Sequence, residues 1–542
     1  MQGLMMDYQL TLQPILERAY KLYPKRELAT KIGPNMHRYT YADMYKRVGK
    51  LANALKRLGV EPGDRVGTLA WNTYRHMELY FAIPCMGAVL HTLNLRLPPE
   101  QLVYIVNHAE DKVIFVDQSL LPLVEKLAEH FKTVKTFVVM ADAPLQTTLP
   151  NALNYEDIVG AEDSEYPWPQ LEEHEAAAMC YTSGTTGNPK GVVYSHRSIY
   201  LHAMGACQTD GLGLSEKDKV MPIVPMFHVL AWGIPYAATF LGCRQVFPGP
   251  HLQPRDMAEL IQNEQITLTA GVPTLWLGLF GMLTTEHYDT SKLRAMIVGG
   301  SAAPRSLIEN YQKKLGLKII HAWGMTETSP LGTVCNLKME MLDLPEDEQF
   351  AIRAKQGISV PGVEIRAVDE NGVEVPWDGK TMGELQIRGP WIASSYYNDE
   401  RTAQSFMDGW FRTGDVISID EEGYIQIVDR TKDLVKSGGE WISTVELESA
   451  IMAHPKVLEA AVIAVPHVKW QERPLALVVP RSKDDLPSKD EIYEILLKDF
   501  AKWQLPDDVV FVEAIPKTSV GKFDKKVIRE AYKEYKLPEA VK

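Results

Sequence analysis

The sequence is poor in cysteine and carries no excess of basic residues, and both shortages argue against classes of protein. Its 542 residues include only five cysteines, at positions 85, 180, 207, 243 and 335. Their odd number and wide scatter indicate free thiols in a reducing compartment, and no CxxC pair or Cys/His cluster suggests zinc. The net charge of −13 argues against a general nucleic-acid binder.

Long apolar runs are also missing. No stretch approaches the ~20 apolar residues that cross a bilayer, and the first residues lack the basic start and apolar core of a secretory signal. These absences predict a cytoplasmic protein with no transmembrane segment, and peripheral contact with a membrane stays open. Internal repeats and low-complexity segments are absent as well.

The first 298 residues alternate between helical and strand patterns. Residues 12–23 and 41–58 have helical spacing, the second beginning after Thr40 and ending at Gly59. Further segments read as strands at 64–70, 112–116 and 136–140 and as helices at 77–86 and 120–130. A chain of this length needs several cores, and such alternation predicts layered α/β architecture with largely parallel sheets.

The pattern changes near Gly357. Residues 363–368 and 383–388 alternate with period two, which predicts an antiparallel sheet and a small barrel whose last strand is 424–428. The charged patch at 429–433 is a plausible hinge. Beyond it, apolar strands at 460–465 and 475–479 predict a small α+β unit.

One loop, residues 181–191 (YTSGTTGNPKG), carries the clearest chemical signal. Apolar, strand-like residues flank it at 176–180 and 192–194. Its glycines let backbone N–H groups converge, and its hydroxyls and Lys190 add donors and positive charge, so the loop suits phosphate. Its spacing is not that of a Walker A loop, because Lys190 is followed by Gly191. For a generic Gly/Thr-rich segment, a mobile surface loop is the commoner explanation.

Six further motifs follow this loop in order. They are 225–229 (PMFHV), 299–304 (GGSAAP), 321–328 (HAWGMTET), 410–415 (WFRTGD), 429–433 (DRTKD) and 516–522 (PKTSVGK). Together they resemble the adenylate-forming superfamily of acyl-CoA synthetases, adenylation domains and luciferases over the full length of the chain. The segments 224–232 and 437–443 resemble its bacterial or archaeal fatty acyl-CoA synthetase branch.

The resemblance implies an enzyme that uses ATP, Mg2+ and coenzyme A. A carboxylate attacks the α-phosphorus of ATP, pyrophosphate leaves, and the acyl group then passes from AMP to a thiol. Charge control dominates phosphoryl chemistry of this kind. The implied catalytic residues are Lys522, Glu327, Thr326, His228 and Lys432. Lys522 would bridge the two anions as they meet, Glu327 and Thr182 would hold the metal, and Lys432 would be the hinge.

The resemblance also implies a set of nucleotide and CoA contacts. Those for the phosphates are Thr182, Ser183, Gly184, Thr185, Thr186 and Lys190. Those for adenine and ribose are Gly300, Ser301, Ala302, His321, Ala322, Trp323, Gly324, Asp415 and Arg430. Gly439 would let the pantetheine arm of CoA pass close to the backbone, and Lys436 and Trp441 complete the set of cofactor contacts. A tryptophan face is a good stacking platform for adenine.

The segment 224–232 bears on which acid is activated. In the fatty acyl branch it is a gate, where a tryptophan closes a hydrophobic tunnel until ATP binds. His228 and Trp232 lie four residues apart, on one face if the segment is helical. Amino-acid-activating relatives typically place an aspartate here, and this segment has none. The resemblance thus implies a medium- or long-chain fatty acid as substrate.

The expected fold is therefore a large N-terminal α/β domain over residues 1–430 and a small mobile α+β lid over 431–542. The large domain would hold two layered α/β subdomains and the small barrel. A homodimer is implied by analogy only. The alternatives are a ligase for another acid or another acceptor, an oxidative luciferase-like enzyme, and a nucleotide-binding protein without catalysis. The joint presence of Glu327, Asp415, Lys432 and Lys522 argues against the last of these.

Overall fold

The computed structural model describes residues 1–142, 146–182, 188–430, 432–437, 440–517 and 523–538. The strands are β1 (Glu27–Ile32), β2 (Asn35–Thr40), β3 (Arg65–Leu69), β4 (Val89–Thr92), β5 (Val113–Asp117), β6 (Thr136–Met140), β7 (Ala152–Asn154), β8 (Ala176–Tyr181), β9 (Gly191–Ser195), β10 (Lys219–Pro222), β11 (Arg244–Phe247), β12 (Leu268–Gly271), β13 (Ala295–Val298), β14 (Ile319–Gly324), β15 (Leu331–Val334), β16 (Ile358–Ser359), β17 (Glu364–Val368), β18 (Gly383–Arg388), β19 (Phe406–Met407), β20 (Trp410–Ile419), β21 (Ile425–Arg430), β22 (Val435–Ser437), β23 (Glu440–Ile442), β24 (Val457–His467), β25 (Gln471–Pro480) and β26 (Asp508–Phe511).

The helices alternate with these strands. They are α1 (Gln13–Leu22), α2 (Tyr41–Arg57), α3 (Tyr74–Cys85), α4 (Pro99–Ala109), α5 (Leu121–Leu127), α6 (Tyr155–Gly160), α7 (His196–Cys207), α8 (Val229–Trp232), α9 (Ile234–Leu241), α10 (Pro254–Glu264), α11 (Pro273–Thr285), α12 (Arg305–Leu315), α13 (Glu346–Arg353), α14 (Thr402–Ser405), α15 (Thr444–Met452), α16 (Lys489–Leu496) and α17 (Lys525–Ala531). Short 3-10 turns lie at Gln118–Leu120, Ala128–His130, Thr326–Thr328, Met339–Met341 and Lys502–Gln504.

Two large sheets form the N-terminal part. The first has nine strands in the order β16-β15-β14-β13-β12-β10-β11-β1-β2, and the second has seven in the order β7-β6-β5-β3-β4-β8-β9. Neighbours from β14 to β1 in the first sheet and from β7 to β8 in the second are parallel. The predicted layered architecture with largely parallel sheets is confirmed. The motifs follow the carboxyl ends of β8, β10, β13 and β14, where ligands bind in open α/β sheets.

Helix α2 shows how closely local signals specify an element. Thr40 accepts a hydrogen bond from the Asp43 N–H at 3.2 Å, and its own N–H donates to the Asp43 carboxylate at 3.0 Å. This capping box satisfies two N–H groups that the first turn leaves free. Met44, Val48 and Leu51 recur at helical spacing and are buried. The predicted helix at 41–58 is confirmed, ending at Arg57.

The rest of the chain forms two smaller sheets. β17–β21 make a five-stranded antiparallel sheet, as predicted, and this sheet forms a half-barrel. β22–β26 with α15–α17 make the predicted small C-terminal α+β unit. The helix predicted at 120–130 is instead α5 flanked by 3-10 turns. The strand predicted at 424–428 runs on to Arg430, because Val416 and Asp415 of β20 pair with Asp429 and Arg430. The domain boundary at 430/431 stays a prediction.

Candidate active site

The phosphate loop joins β8 to β9, which pair in antiparallel fashion, so the predicted loop between two strands is confirmed. Two hydrogen bonds between Thr182 and Lys190 join the two sides of the loop at its base. The Thr182 N–H donates to the Lys190 carbonyl at 2.9 Å, and the Lys190 N–H donates to Thr182 Oγ1 at 3.1 Å. The predicted phosphate contacts Ser183, Gly184, Thr185 and Thr186 lie outside the described residues.

A tyrosine that sequence reasoning missed links two of the predicted residues. Lys190 Nζ lies 3.0 Å from the Tyr396 hydroxyl, and that hydroxyl donates to Glu327 Oε1 at 2.7 Å. Glu327 and Tyr396 are buried, and burial lowers the pKa of the Lys190 ammonium. The Lys190–Tyr396 contact spans 206 residues of sequence, so no local pattern signals it. The structure thus brings the phosphate-loop lysine and the predicted metal ligand to one hydroxyl.

The arrangement around Glu327 fits a magnesium ion that is held mainly by substrate. Hard cations take oxygen ligands, and Mg2+ is commonly bound by one or two carboxylates together with phosphates. Glu327 is one buried carboxylate next to the stem of the phosphate loop. Within the described part of the chain, no three Asp, Glu, His or Cys side chains cluster to form a cage that would hold the ion by itself. The Thr182 hydroxyl, the other predicted ligand, accepts the Lys190 N–H.

Trp323, Asp415 and Arg430 meet on the nucleotide side of the predicted site. The Trp323 indole N–H donates to Asp415 Oδ2 at 3.0 Å, and Arg430 Nε lies 2.5 Å from Asp415 Oδ1. Asp415 and Arg430 are also direct partners across β20 and β21. Three predicted contacts from distant motifs therefore form one connected group. Their roles toward ribose and adenine stay predictions.

His321 supports the glycine-rich segment from behind. Its Nδ1 lies 3.1 Å from the Ala354 carbonyl and must donate there, so Nε2 accepts the Ala303 N–H at 3.4 Å. Burial lowers the pKa of His321 to about 4, which keeps the ring neutral. The neighbouring predicted residues Gly300, Ser301 and Ala302 directly precede Ala303, in the bend between β13 and α12. Gly324 is required by space, since a side chain there would collide with the Pro330 carbonyl.

The gate segment has an unusual backbone. Residues Val229–Trp232 form a single turn whose φ angles are 45, 52, 50 and 57°, so the turn is left-handed rather than the right-handed helix that the four-residue spacing suggests. Left-handed backbone costs roughly 1–2 kcal/mol per L-residue. The Trp232 ring lies against the glycine pair of the nucleotide segment, where a side chain on Gly299 would meet it at 3.0 Å. His228, just before the turn, is half-buried.

Asn72, a second residue that sequence reasoning missed, holds the segment leading to the gate. Its side-chain amide donates to the Pro222 and Val224 carbonyls, both at 2.8 Å, and accepts the Met226 N–H at 2.7 Å. The Tyr80 hydroxyl donates to the Met226 carbonyl. Asn72 follows β3, whereas the gate segment follows β10 of the other sheet. The two sheets therefore join at the gate.

The predicted lid residues are only partly described. Gly439 and Lys522 lie outside the described residues. Lys436 and Trp441 are register partners in β22 and β23, with Lys436 Nζ 4.8 Å from the ring centroid. Lys432 follows β21 and is exposed.

A polar cluster, defined here as the buried Asp429, Thr444 and Glu448 with the half-buried Lys525, joins the two domains next to Lys432. Asp429 Oδ2 accepts the Thr444 N–H at 2.8 Å, which caps the first turn of α15. Lys525 Nζ lies 2.7 Å from Glu448 and also contacts the Thr444 hydroxyl. Burial raises the pKa of Glu448 to about 7. Asp429 therefore belongs to the junction rather than to a solvated turn.

The comparisons with known proteins agree with this arrangement. The AMP-binding enzyme family matches residues 16–397, and the AMP-binding enzyme C-terminal domain matches residues 446–522. The chain belongs to the AMP-binding enzymes, so the predicted adenylate-forming superfamily is confirmed. A long-chain-fatty-acid–CoA ligase of Thermus thermophilus is 51% identical over 98% of this chain and 97% of its own. A medium-chain-fatty-acid–CoA ligase of Ectopseudomonas oleovorans is 43% identical over 98% of each chain.

Solved structures show the same fold. The crystal structure of the anthranilate CoA ligase AuaEII in complex with anthranoyl-AMP matches with a TM-score of 0.86 at 27% identity, covering 97% of this chain and 98% of the other. ATP-bound MatB from Rhodopseudomonas palustris matches with a TM-score of 0.83 at 27% identity, covering 98% and 100%. Among the described residues, no helix combines the length and apolarity that crossing a membrane requires.

Proposed function

We propose that this chain is a fatty acid–CoA ligase. It condenses a medium- or long-chain carboxylate with ATP to acyl-AMP and pyrophosphate, and CoA thiolate then displaces AMP to give acyl-CoA. The observation that carries the proposal is similarity over nearly the whole chain to one ligase named for long-chain and one named for medium-chain fatty acids. Neither similarity is confined to the nucleotide half, so it includes the segments that would select the acid.

The described residues support a division of labour in the first step. The phosphate-loop stem with Lys190 would hold the leaving pyrophosphate, and Asp415 with Arg430 would hold the ribose. Glu327 would hold Mg2+, which supplies positive charge to the phosphates when it is bound. Lys522 would neutralise the carboxylate and the α-phosphate as they meet. Lys190, Lys522 and the bound Mg2+ would stabilise negative charge, and none of them needs to donate a proton.

The gate residues support an apolar substrate. Trp232 is the last residue of the left-handed turn, and a side chain on Gly300 would meet both its ring and the apolar side chain of Val272. We infer that this ring separates the nucleotide from a tunnel for the acyl chain. His228 at the start of the turn would lie near the carboxylate end.

A second candidate is a ligase for a short sulfur-containing acid. Two relatives named 3-methylmercaptopropionyl-CoA ligase are 43% and 42% identical over 98% of this chain. These identities are close to that of the medium-chain enzyme, at 43%. Identity alone therefore does not separate the two substrate classes.

The test is AMP release across a panel of acids, with and without CoA. The panel holds straight-chain fatty acids from butyrate to oleate, 3-methylmercaptopropionate, an aromatic acid and an amino acid. We expect CoA-dependent AMP release with the highest kcat/KM on a medium- or long-chain acid. A preference for 3-methylmercaptopropionate would favour the second candidate, and adenylation without any CoA dependence would point to a different acceptor.

We also propose a homodimer in the cytoplasm. The cytoplasmic assignment is supported by five free cysteines, four of them buried. The dimer rests on analogy and is tested by light scattering of the purified chain, where a monomer mass would contradict it.

A further inference from the structure

The hydroxyl of Tyr396 stands between two charged groups of the site. Lys190 Nζ lies 3.0 Å from it on one side and Glu327 Oε1 lies 2.7 Å from it on the other. The Lys190 ammonium is also 4.1 Å from the centre of the Tyr396 ring. Tyr396 is 5% exposed and Glu327 is 4% exposed, so water competes little with these contacts.

Chemistry fixes the direction of both hydrogen bonds. An ammonium group can only donate and an ionised carboxylate can only accept, while a phenol has one proton to donate. Lys190 therefore donates to the Tyr396 oxygen, and Tyr396 donates to Glu327. Charged partners at both ends make these bonds stronger than neutral ones.

Tyr396 is itself held rigidly. Its backbone N–H donates to the Thr402 hydroxyl at 3.0 Å, and its ring packs edge-on against Phe406 with centroids 5.2 Å apart. Three residues earlier, the Ala393 N–H donates to the Glu327 backbone carbonyl at 2.8 Å. The segment from Ala393 to Tyr396 thus holds Glu327 by two hydrogen bonds, one to its backbone carbonyl and one to its carboxylate.

We propose that Tyr396 is a positioning residue that sets the Glu327 carboxylate for the metal and couples it to the phosphate-loop lysine. This inference rests on the proposed function. One carboxylate oxygen, Oε1, is held by Tyr396, which fixes the direction in which the other can approach a cation. Groups that orient a metal ligand in this way typically change metal affinity by about 10–100-fold when they are removed.

The neighbouring residue offers a matched control. Tyr397 is a half-buried tyrosine whose ring packs edge-on against His108, with centroids 5.6 Å apart, on the other side of the chain. Tyr396→Phe and Tyr397→Phe each delete one phenolic oxygen and keep the ring. A difference between them therefore reports the position of the hydroxyl rather than the loss of one oxygen from this segment.

The experiment measures binding without turnover. Calorimetry gives the affinity of the full-length protein for a nonhydrolysable ATP analogue, first with EDTA and then across a Mg2+ titration. We expect Tyr396→Phe to need about tenfold more Mg2+ for half-maximal tightening of the analogue. With EDTA it should bind like the wild type within about twofold, and Tyr397→Phe should match the wild type in both conditions.

Three outcomes would decide against the inference. Equal Mg2+ dependence in all three proteins would remove Tyr396 from the metal site. An equal loss with EDTA and with Mg2+ would assign Tyr396 a structural role in the phosphate loop. A loss shared by Tyr397→Phe would assign the effect to the segment as a whole. Failure of the proposed function is distinguishable, because the wild type would then bind the analogue but release no AMP with any acid, or would not bind it at all.

Discussion

At the scale of single residues, the first half-reaction depends on neutralising the two anions that react, the carboxylate and the α-phosphate. Lys522 lies outside the described residues, and its role comes from the resemblance alone. We expect Lys522→Ala to lower acyl-AMP formation by about 10²-fold or more, because two anions would then meet without a neutralising cation. Thioester formation from preformed acyl-AMP should stay within about threefold, since that step no longer brings the carboxylate to the phosphate.

The control for this prediction is Lys526→Ala. Lys526 is exposed in α17, four residues further on, and is expected to leave both half-reactions unchanged. Each half-reaction is measured separately, as pyrophosphate release and as acyl-CoA formation from added acyl-AMP. Equal losses in both half-reactions for Lys522→Ala would contradict the division of labour.

At the scale of elements, the gate segment stands out because its backbone conformation is unfavourable. Its left-handed turn costs free energy that the surroundings must supply, and Asn72 and Tyr80 are the buried groups that hold the chain leading into it. Val229 is β-branched, which makes a positive φ especially unfavourable. A rearrangement of Val229–Trp232 would release this strain, so the turn is a natural place for movement.

We expect Trp232→Ala to uncouple ATP binding from fatty acid binding. Without the indole ring against Gly299 and Gly300, the predicted tunnel stays open whether or not nucleotide is bound. Fatty acid affinity is measured with and without a nonhydrolysable ATP analogue. The wild type should bind acid more tightly with the analogue, and the variant should show less than about a twofold difference.

The exposed Trp377 provides the control, as Trp377→Ala should keep the wild-type dependence. An unchanged ATP dependence in Trp232→Ala would make Trp232 an ordinary core residue.

Local signals predicted the elements well and the connections between them poorly. Strand β6 has the predicted bounds, and α2 differs from its predicted bounds at one end by a single residue. Both were predictable because the spacing of apolar residues and the capping residues depend only on neighbouring positions in the sequence. The left-handed turn could not be predicted, since Val229 and Leu230 do not favour it. Tyr396 and Asn72 were missed because they act across 69 to 206 residues of sequence. Such contacts depend on how the sheets pack.

At the scale of the whole molecule, buried histidines tie stability to pH. Burial lowers the pKa of His76, His196 and His321 to about 4 and that of His202 to about 3. The unfolded chain binds these protons near pH 6.5. These histidines therefore cost the fold nothing above pH 6.5. As the pH falls toward 4, the free energy of unfolding decreases, by about 2 kcal/mol per histidine at pH 5.

His196→Asn isolates one of these contributions. Asparagine keeps an acceptor for the Leu12 N–H, which donates to His196 Nδ1 at 3.3 Å, but cannot titrate. We expect the variant to lose less stability than the wild type between pH 7.5 and 5, by about 2 kcal/mol in denaturant unfolding. Buried carboxyl groups such as Glu78, whose pKa is raised by burial, act in the opposite direction. The difference between the two proteins is thus the measurement, and parallel pH curves would contradict the prediction.

The last issue at this scale is how one site serves two reactions. Lys522 would fill the space near the α-phosphate in the first, whereas the CoA thiol needs a path to the acyl carbonyl in the second. Rotation of the C-terminal domain would resolve this conflict, and hinges are a few residues that absorb large φ/ψ changes. The Asp429–Thr444 hydrogen bond crosses the turn that follows Asp429, so rotation about that turn would have to break it. Lys432 lies in that turn.

We expect Lys432→Pro to separate the two half-reactions, since proline fixes φ near −65° and removes an N–H. The hydrogen bonds that close the turn come from the N–H groups of Asp433 and Leu434 to the Arg430 carbonyl, at 2.8 and 3.1 Å, so proline at 432 leaves both donors in place. Adenylation should survive within roughly tenfold, while thioester formation falls much further. Lys432→Ala removes the same charge but keeps φ free, and it should support both steps. If both half-reactions fell equally in Lys432→Pro, or if Lys432→Ala behaved like it, the pivot would have to lie at another residue.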